Sequence, residues 1–243
     1  ATQYLCPRAV CRVMRVAVVT VGDELLVGET VNTNASWLGE QLSARGATVE
    51  RMTALPDRTA DIARVVNEYH ADYDAVVVTG GLGPTHDDVT VDGVAAAFGR
   101  EVVENETALD WLEEHGGYSR EDLAEGTAEL PAGSRFLPNH EGVAPGCVVD
   151  DCYVLPGVPG EMQRMFTEVA AEFTGDLRHV ATVAAGEPES ALVDRLETVR
   201  RLFPVKVGSY PGEYVTLRFE GTETEAVEEA ADWMRERVEP PED

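Results

Sequence analysis

The sequence predicts an α/β protein with mostly parallel strand pairing, followed by a small α+β unit. Three observations predict it. β-Branched runs of the kind found in strands covered on both faces alternate with amphipathic helical patterns. Strand–helix–strand order requires parallel pairs joined by right-handed crossovers. The pattern breaks at Thr174-Gly175-Asp176 and then changes type.

Residues 1–13 have neither an apolar core region nor a small-residue cleavage site, so they read as an extension without catalytic consequence, and Met14 is a candidate true start. Residues 15–21 form the first strand. Residues 33–45 follow as a helix with Trp37, Leu38 and Leu42 on one face and Gly46 where a left-handed cap belongs. The second strand covers 48–54. Asp57 or Thr59 can cap a helix bearing Ile62, Val65, Val66 and Tyr69, and 75–79 is a third buried strand. A helix opens near Thr90, and further helical stretches are expected at 107–115 and 120–125. Val148-Val149 and Tyr153-Val154-Leu155 read as a hairpin running into Pro156-Gly157-Val158-Pro159 and a helix over 160–173. The expected organisation is a main domain over 14–174 and a small unit over 175–238, ordered strand, helix, strand, strand, helix. The acidic tail, 239–243, is expected to be disordered.

Composition limits the partners. In 243 residues there are 19 Lys and Arg against 45 Asp and Glu, a net charge of −26, and Lys206 is the only lysine. A field this negative disfavours unaided binding to nucleic acid or an anionic membrane, and a phosphorylated substrate needs metal ions or backbone dipoles beside it. The acidity itself reads as solubility in concentrated salt. That makes a halophilic, cytoplasmic protein the expectation, one that low salt destabilises. Cys6, Cys11, Cys147 and Cys152 have no metal-ligand spacing and read as free thiols. Trp37, Trp111 and Trp233 lie on helical faces and read as packing residues.

In an open parallel sheet, ligands bind beyond the carboxyl ends of the strands. Three segments arrive there: Gly22-Asp23-Glu24, the loop from Gly80 to Thr90, and Pro156-Gly157-Val158-Pro159. Gly80, Gly81 and Gly83, in the run with Leu82, Pro84 and Thr85, let backbone amides approach an anion beside a helix N-terminus. Phosphate is the natural anion. Asp87 and Asp88 would repel it unless a divalent cation of the magnesium, manganese or cobalt type lay between, which favours metal-assisted attack on a phosphoanhydride. Capping of the following helix is the competing role for Asp87 and Asp88, as it is for Asp23 and Glu24. His86 is a candidate phosphate contact or proton donor.

The runs TVGDELLVGETVNTNASWLGEQLSARG, VVVTGGLGPTHDDVT and LPGVPGEM resemble the N-terminal domain of the CinA family, within the MoaB/MogA molybdopterin-binding superfamily. The trailing unit resembles the KH-type domain that follows it there. The resemblance implies a three-layer α/β/α fold and a homo-oligomer, dimer or trimer. It also implies metal-dependent ADP-ribose pyrophosphatase activity, with Asp87, Asp88 and Glu24 as metal residues. Asp88 matches the aspartate that follows GGTG in the MogA relatives. Asp57, in Leu55-Pro56-Asp57, matches their second acidic residue and joins Asp87 and Asp88 as a catalytic candidate. Leu82 replaces the threonine of GGTG, which favours the CinA side. Asn32 stands where related sequences often carry aspartate, and the small unit lacks the GxxG loop with which KH modules clamp RNA. The deamidase half of full-length CinA proteins, and with it that activity, is expected to be absent. Two alternatives remain open: a protein that binds or adenylylates molybdopterin, and a non-enzymatic scaffold for a separate deamidase.

Overall fold

The computed structural model describes residues 13–121, 123–175 and 177–241. Cys6, Cys11, the extension as far as residue 12 and the last two tail residues lie outside the described residues. Contacts divide the chain into two compact units between residues 175 and 176.

The first unit is built on a six-stranded sheet, ordered β2-β1-β3-β8-β7-β6. β1 (Arg15–Val21) and β3 (Ala75–Gly80) are interior strands, and nearly every residue in them is buried, as their β-branched runs require. β1 pairs in parallel with β2 (Thr48–Leu55) and β3, and β3 pairs in parallel with β8 (Cys152–Pro156). β7 (Gly146–Val149) and β6 (Arg135–Leu137) add an antiparallel margin.

A single helical turn, α1 (Asp23–Leu26), follows β1, and longer helices cover both faces. α2 (Thr33–Ala44) and α6 (Pro159–Val169) bury Leu38, Leu42, Met162, Phe166 and Val169 against Val16, Val18, Val77 and Leu155. α3 (Thr59–Asp72), α4 (Thr90–Ala97) and α5 (Glu106–Trp111) pack Ile62, Val66, Val94 and Leu109 against Val19, Val76 and Val78 on the opposite face. The fold is thus a three-layer α/β/α sandwich. Trp37 meets Phe166 edge-on at 5.5 Å, a packing role as expected.

One expectation fails between 100 and 150, and three short strands there were not foreseen. No helix forms among the described residues of 120–125; Gly117 (φ 70°) and Gly126 (φ 89°) bend the chain on either side, and Arg120 reaches back to Glu106 and Asp110 on α5. The helical stretch expected over 107–115 forms, as α5 to Trp111 and then as a wider helical turn, Leu112–Gly116. β4 (Val102–Glu104) and β5 (Glu129–Pro131), an antiparallel pair, and β6 were not legible, because three residues are too few to establish a strand period.

The β7–β8 hairpin turns at Asp150, whose φ is 51°, and pairs Cys147 with Val154 and Val149 with Cys152. The two cysteines are diagonal neighbours on one buried face, and both are free. Burial pushes the Cys147 thiol up to about 12 and Cys152 likewise upward. Iodoacetamide at pH 8 is expected to leave both unlabelled in the native protein and to label them in denaturant. Peptide mapping checks this, and native labelling would show that the hairpin opens.

The second unit contains β9 (His179–Ala185), α7 (Glu189–Leu202), β10 (Lys206–Tyr210), β11 (Val215–Gly221) and α8 (Thr224–Arg235). The sheet is antiparallel, ordered β10-β11-β9, and buries Leu217 and Phe219 under Leu192, Leu196, Val227 and Met234. The tail departs from expectation. The Gly186 amide donates to the Glu239 carbonyl at 2.7 Å, and the Glu239 amide donates to the Glu187 carboxylate, which is also paired with Arg195. These bonds order the tail's beginning. Among the described residues, no helix is long and apolar enough to cross a membrane.

Candidate functional site

Parallel register brings four strand ends to one edge. Val21 lies opposite Leu55, Thr20 opposite Thr79, and Gly80 opposite Pro156. The segments that follow these strands therefore meet: Gly22-Asp23-Glu24, Pro56-Asp57, Gly80 to Gly83, and Gly157 to Pro159. The three segments expected at this edge are joined by a fourth, the Asp57 turn.

Asp57 caps nothing. The residue before α3 is Arg58, without a side-chain cap, and Thr59 is already inside the helix. Instead the Asp57 carboxylate accepts the Asp23 amide at 2.8 Å, while the Asp57 amide donates to Asp23 Oδ1 at 3.4 Å. Desolvation raises the Asp57 carboxyl above the usual carboxylate range; the Asp23 amide opposes this, and the charges of Asp23, Glu24 and Asp87 add to the rise. Asp87 is shifted the other way. The Thr85 hydroxyl, whose one proton it shares with Asp88, its own backbone amide and His86 hold its exposed carboxyl below that range.

The charge crowding carries a stability cost with a definite sign. A carboxyl whose value is raised by folding favours the fold while protonated and loses that contribution as pH rises through the raised value. Asp57→Asn keeps the acceptor for the Asp23 amide and removes the repulsion. At pH 8 its Tm is expected to rise by about 1–3 °C, with a smaller gain at pH 5. Thermal unfolding at the two pH values checks it; a lower Tm at pH 8 would contradict the crowding.

Asp88 also caps nothing, since α4 opens after Val89 without a side-chain cap. Half-buried, Asp88 accepts the Thr85 hydroxyl and lies over the glycine loop: a Cβ on Gly81 would collide with Oδ1, and one on Gly83 would crowd Oδ2 at 2.6 Å. The Thr90 hydroxyl, fully buried at the start of α4, abuts Gly80 and has no hydrogen-bond partner among the described residues. Beyond the loop, Leu82, Pro84, Thr85, His86 and Asp88 border a cleft of about 230 Å³.

Asp87, Asp88 and Glu24, the residues expected to hold a metal, do not make a preformed three-ligand site among the described residues. Asp88 turns toward Gly81 and Gly83 while Asp87 acts on Asp57, so Asp87, Asp88 and Glu24 form no closed cage.

Sequence reading missed a second cavity, of about 90 Å³, between the end of β1, the start of α2 and the Gly157 turn. Asn32 caps α2, its Oδ1 accepting the Ala35 amide at 3.1 Å, and its Nδ2 donates to Thr20 Oγ1 at 2.8 Å. Asn34 ties α2 to Gly157. The available signal was the polar run Thr30-Val31-Asn32-Thr33-Asn34 directly after the first strand's loop.

A family described as a probable molybdopterin binding domain matches residues 17–175. The chain belongs to that family. It is 36% identical over 225 residues to a protein of Archaeoglobus fulgidus, covering 92% of this chain and 97% of that one. It is 39% identical over 241 residues to a CinA-like protein of Citrifermentans bemidjiense, covering 93% of this chain and 58% of that protein. The chain therefore spans little more than half of that relative. The crystal structure of the protein CinA with unknown function from Thermoplasma acidophilum matches with a TM-score of 0.61 at 35% identity, over 66% of this chain and 98% of that one. These likenesses place this family member on the CinA side, as its motifs imply.

Proposed function

We propose that the site hydrolyses the diphosphate of ADP-ribose, giving AMP and ribose 5-phosphate, with a divalent cation as cofactor. The observation that carries the reading is geometric: Asp88 seated over Gly81 and Gly83, and Asp57 held by the Asp23 amide, at the sheet edge where the glycine loop leads into α4. The donor set suits a hard cation. Magnesium is commonly held by one or two carboxylates together with substrate phosphates, so the lack of a three-residue cage fits a cation that arrives with its substrate. Asp87 and Asp88 would hold it, with Asp57 or Glu24 beside them. When bound, it offsets the repulsion between diphosphate and carboxylates and makes the phosphorus more electrophilic.

The chain's own groups have separate tasks. Backbone amides of Gly80, Gly81 and Gly83 and the unpartnered Thr90 hydroxyl hold phosphate oxygens at the start of α4. Asp57 can take the proton of the attacking water at its carboxylate, because its environment favours the protonated form.

The test is AMP release from ADP-ribose by pure protein in molar KCl with magnesium, manganese or cobalt. Metal-dependent release supports the reading. Absence of release with every metal, in folded protein, overturns it. Molybdopterin binding, favoured by the family description of residues 17–175, is the second reading, and a ligand-induced thermal shift with molybdopterin tests it.

A further inference from the structure

Asn34 lines the cavity beside β1, and one of its hydrogen-bonding atoms has no partner among the described residues. Asn34 Nδ2 donates to the Gly157 carbonyl at 2.7 Å and to Thr79 Oγ1 at 3.3 Å, while Thr79 donates its own proton to the Pro156 carbonyl at 2.6 Å. These bonds settle the orientation of the carboxamide. Turned over, its oxygen would face the Gly157 carbonyl and a hydroxyl whose proton is already committed. Asn34 Oδ1 is therefore the free end, buried and without a hydrogen-bond partner among the described residues. A buried acceptor left unpaired costs free energy and calls for a donor. Asn32, two residues earlier, has both ends engaged and makes no such demand.

The surroundings restrict the donor. Glu24 lines the same cavity and supplies a second acceptor, Thr30 and Thr33 supply hydroxyls, and the space is about 90 Å³. A small, partly open volume lined by residues that carry acceptors suits a compact group with several O–H donors. Phosphate, an acceptor with negative charge, is disfavoured there by Glu24 and is better placed at the loop from Gly80 to Gly83. The Gly157 turn separates the two regions without a wide gap: its backbone lies directly against Gly80.

We propose that this cavity takes the sugar ring of the substrate's ribose 5-phosphate half, and that Asn34 Oδ1 accepts a hydrogen bond from one of its hydroxyls. This rests on the sugar-diphosphate reading above, and adds which part of the substrate sits where and which residue reads it. Asn34 is thereby a specificity-determining residue, and the glycine loop holds the diphosphate.

The experiment is titration of the full chain, with magnesium, against ribose 5-phosphate, its 2-deoxy and 3-deoxy analogues, and AMP. The wild type is expected to bind ribose 5-phosphate about tenfold more tightly than at least one deoxy analogue. In Asn34→Leu that preference falls to within about twofold while AMP affinity is unchanged. Equal affinity for all three sugars in the wild type overturns the proposal, an outcome that stands even if Asn34→Leu fails to fold. Preference surviving in Asn34→Leu also overturns it, as does Asn34-dependent binding of magnesium alone, which would assign the cavity to a cation. The two readings fail separately. AMP release without sugar discrimination removes the sugar subsite and leaves the hydrolase; sugar discrimination without AMP release does the reverse.

Discussion

Asp88→Asn is expected to lower AMP release from ADP-ribose by about 10² or more, with Tm within about 2 °C of wild type. The reasoning separates shape from charge. Asparagine has nearly the same volume, so it fits over Gly81 and Gly83, and its Oδ1 can still accept the Thr85 hydroxyl. Only the negative charge is lost. If Asp88 holds the cation against the substrate's diphosphate, the loss appears in turnover and in the metal concentration needed for half-activity, and the fold is untouched. Initial rates across a magnesium series, with thermal unfolding alongside, measure both. Unchanged turnover would remove Asp88 from the machinery.

Gly81→Ala is expected to cost about tenfold or more in turnover while leaving every charged group in place. A Cβ at this position would coincide with Asp88 Oδ1. Relief requires the carboxylate to swing away or the loop to shift, and overpacking of this kind costs about 1–3 kcal/mol. The variant thus displaces Asp88 without neutralising it, and combining it with Asp88→Asn should add little further loss of activity. Gly160→Ala is the control. Nothing lies within 4 Å of a Cβ there, and activity is expected to stay within about twofold. Full activity in Gly81→Ala would mean that the observed seating of Asp88 is not the one used in catalysis.

Legibility in the sequence followed the strength of the physical signal. Strands such as Val16 to Val21 and Ala75 to Gly80 announce themselves because burial on both faces demands an unbroken apolar run. The edge where ligands bind follows from parallel pairing, so Asp23, the loop from Gly80 and the Pro156 turn could be assigned to one region before their contacts were known, whereas Asp57 entered only through the family resemblance. Side-chain direction was not legible. Asp57 and Asp88 both looked like helix caps, a local role, yet each turns toward a group supplied by tertiary structure: the Asp23 amide for one, the glycine loop for the other. Asn34 was missed for the same reason. Its partners Thr79 and Gly157 lie 45 and 123 residues away, and only the folded sheet brings them together.

The parallel sheet also acts as a ruler. Neighbouring strands lie about 4.8 Å apart, so the loops following β2, β1, β3 and β8 form a comb with that pitch. A ligand reaching from the tooth after β1 to the tooth after β8 spans two intervals, roughly 10 Å, whereas a single phosphate occupies one. The spacing itself favours an elongated molecule with a charged middle, whatever chemistry the side chains then perform. Because the pitch is set by backbone hydrogen bonds deep in the sheet, substitutions in the loops can alter what the teeth grip without changing the distance between them.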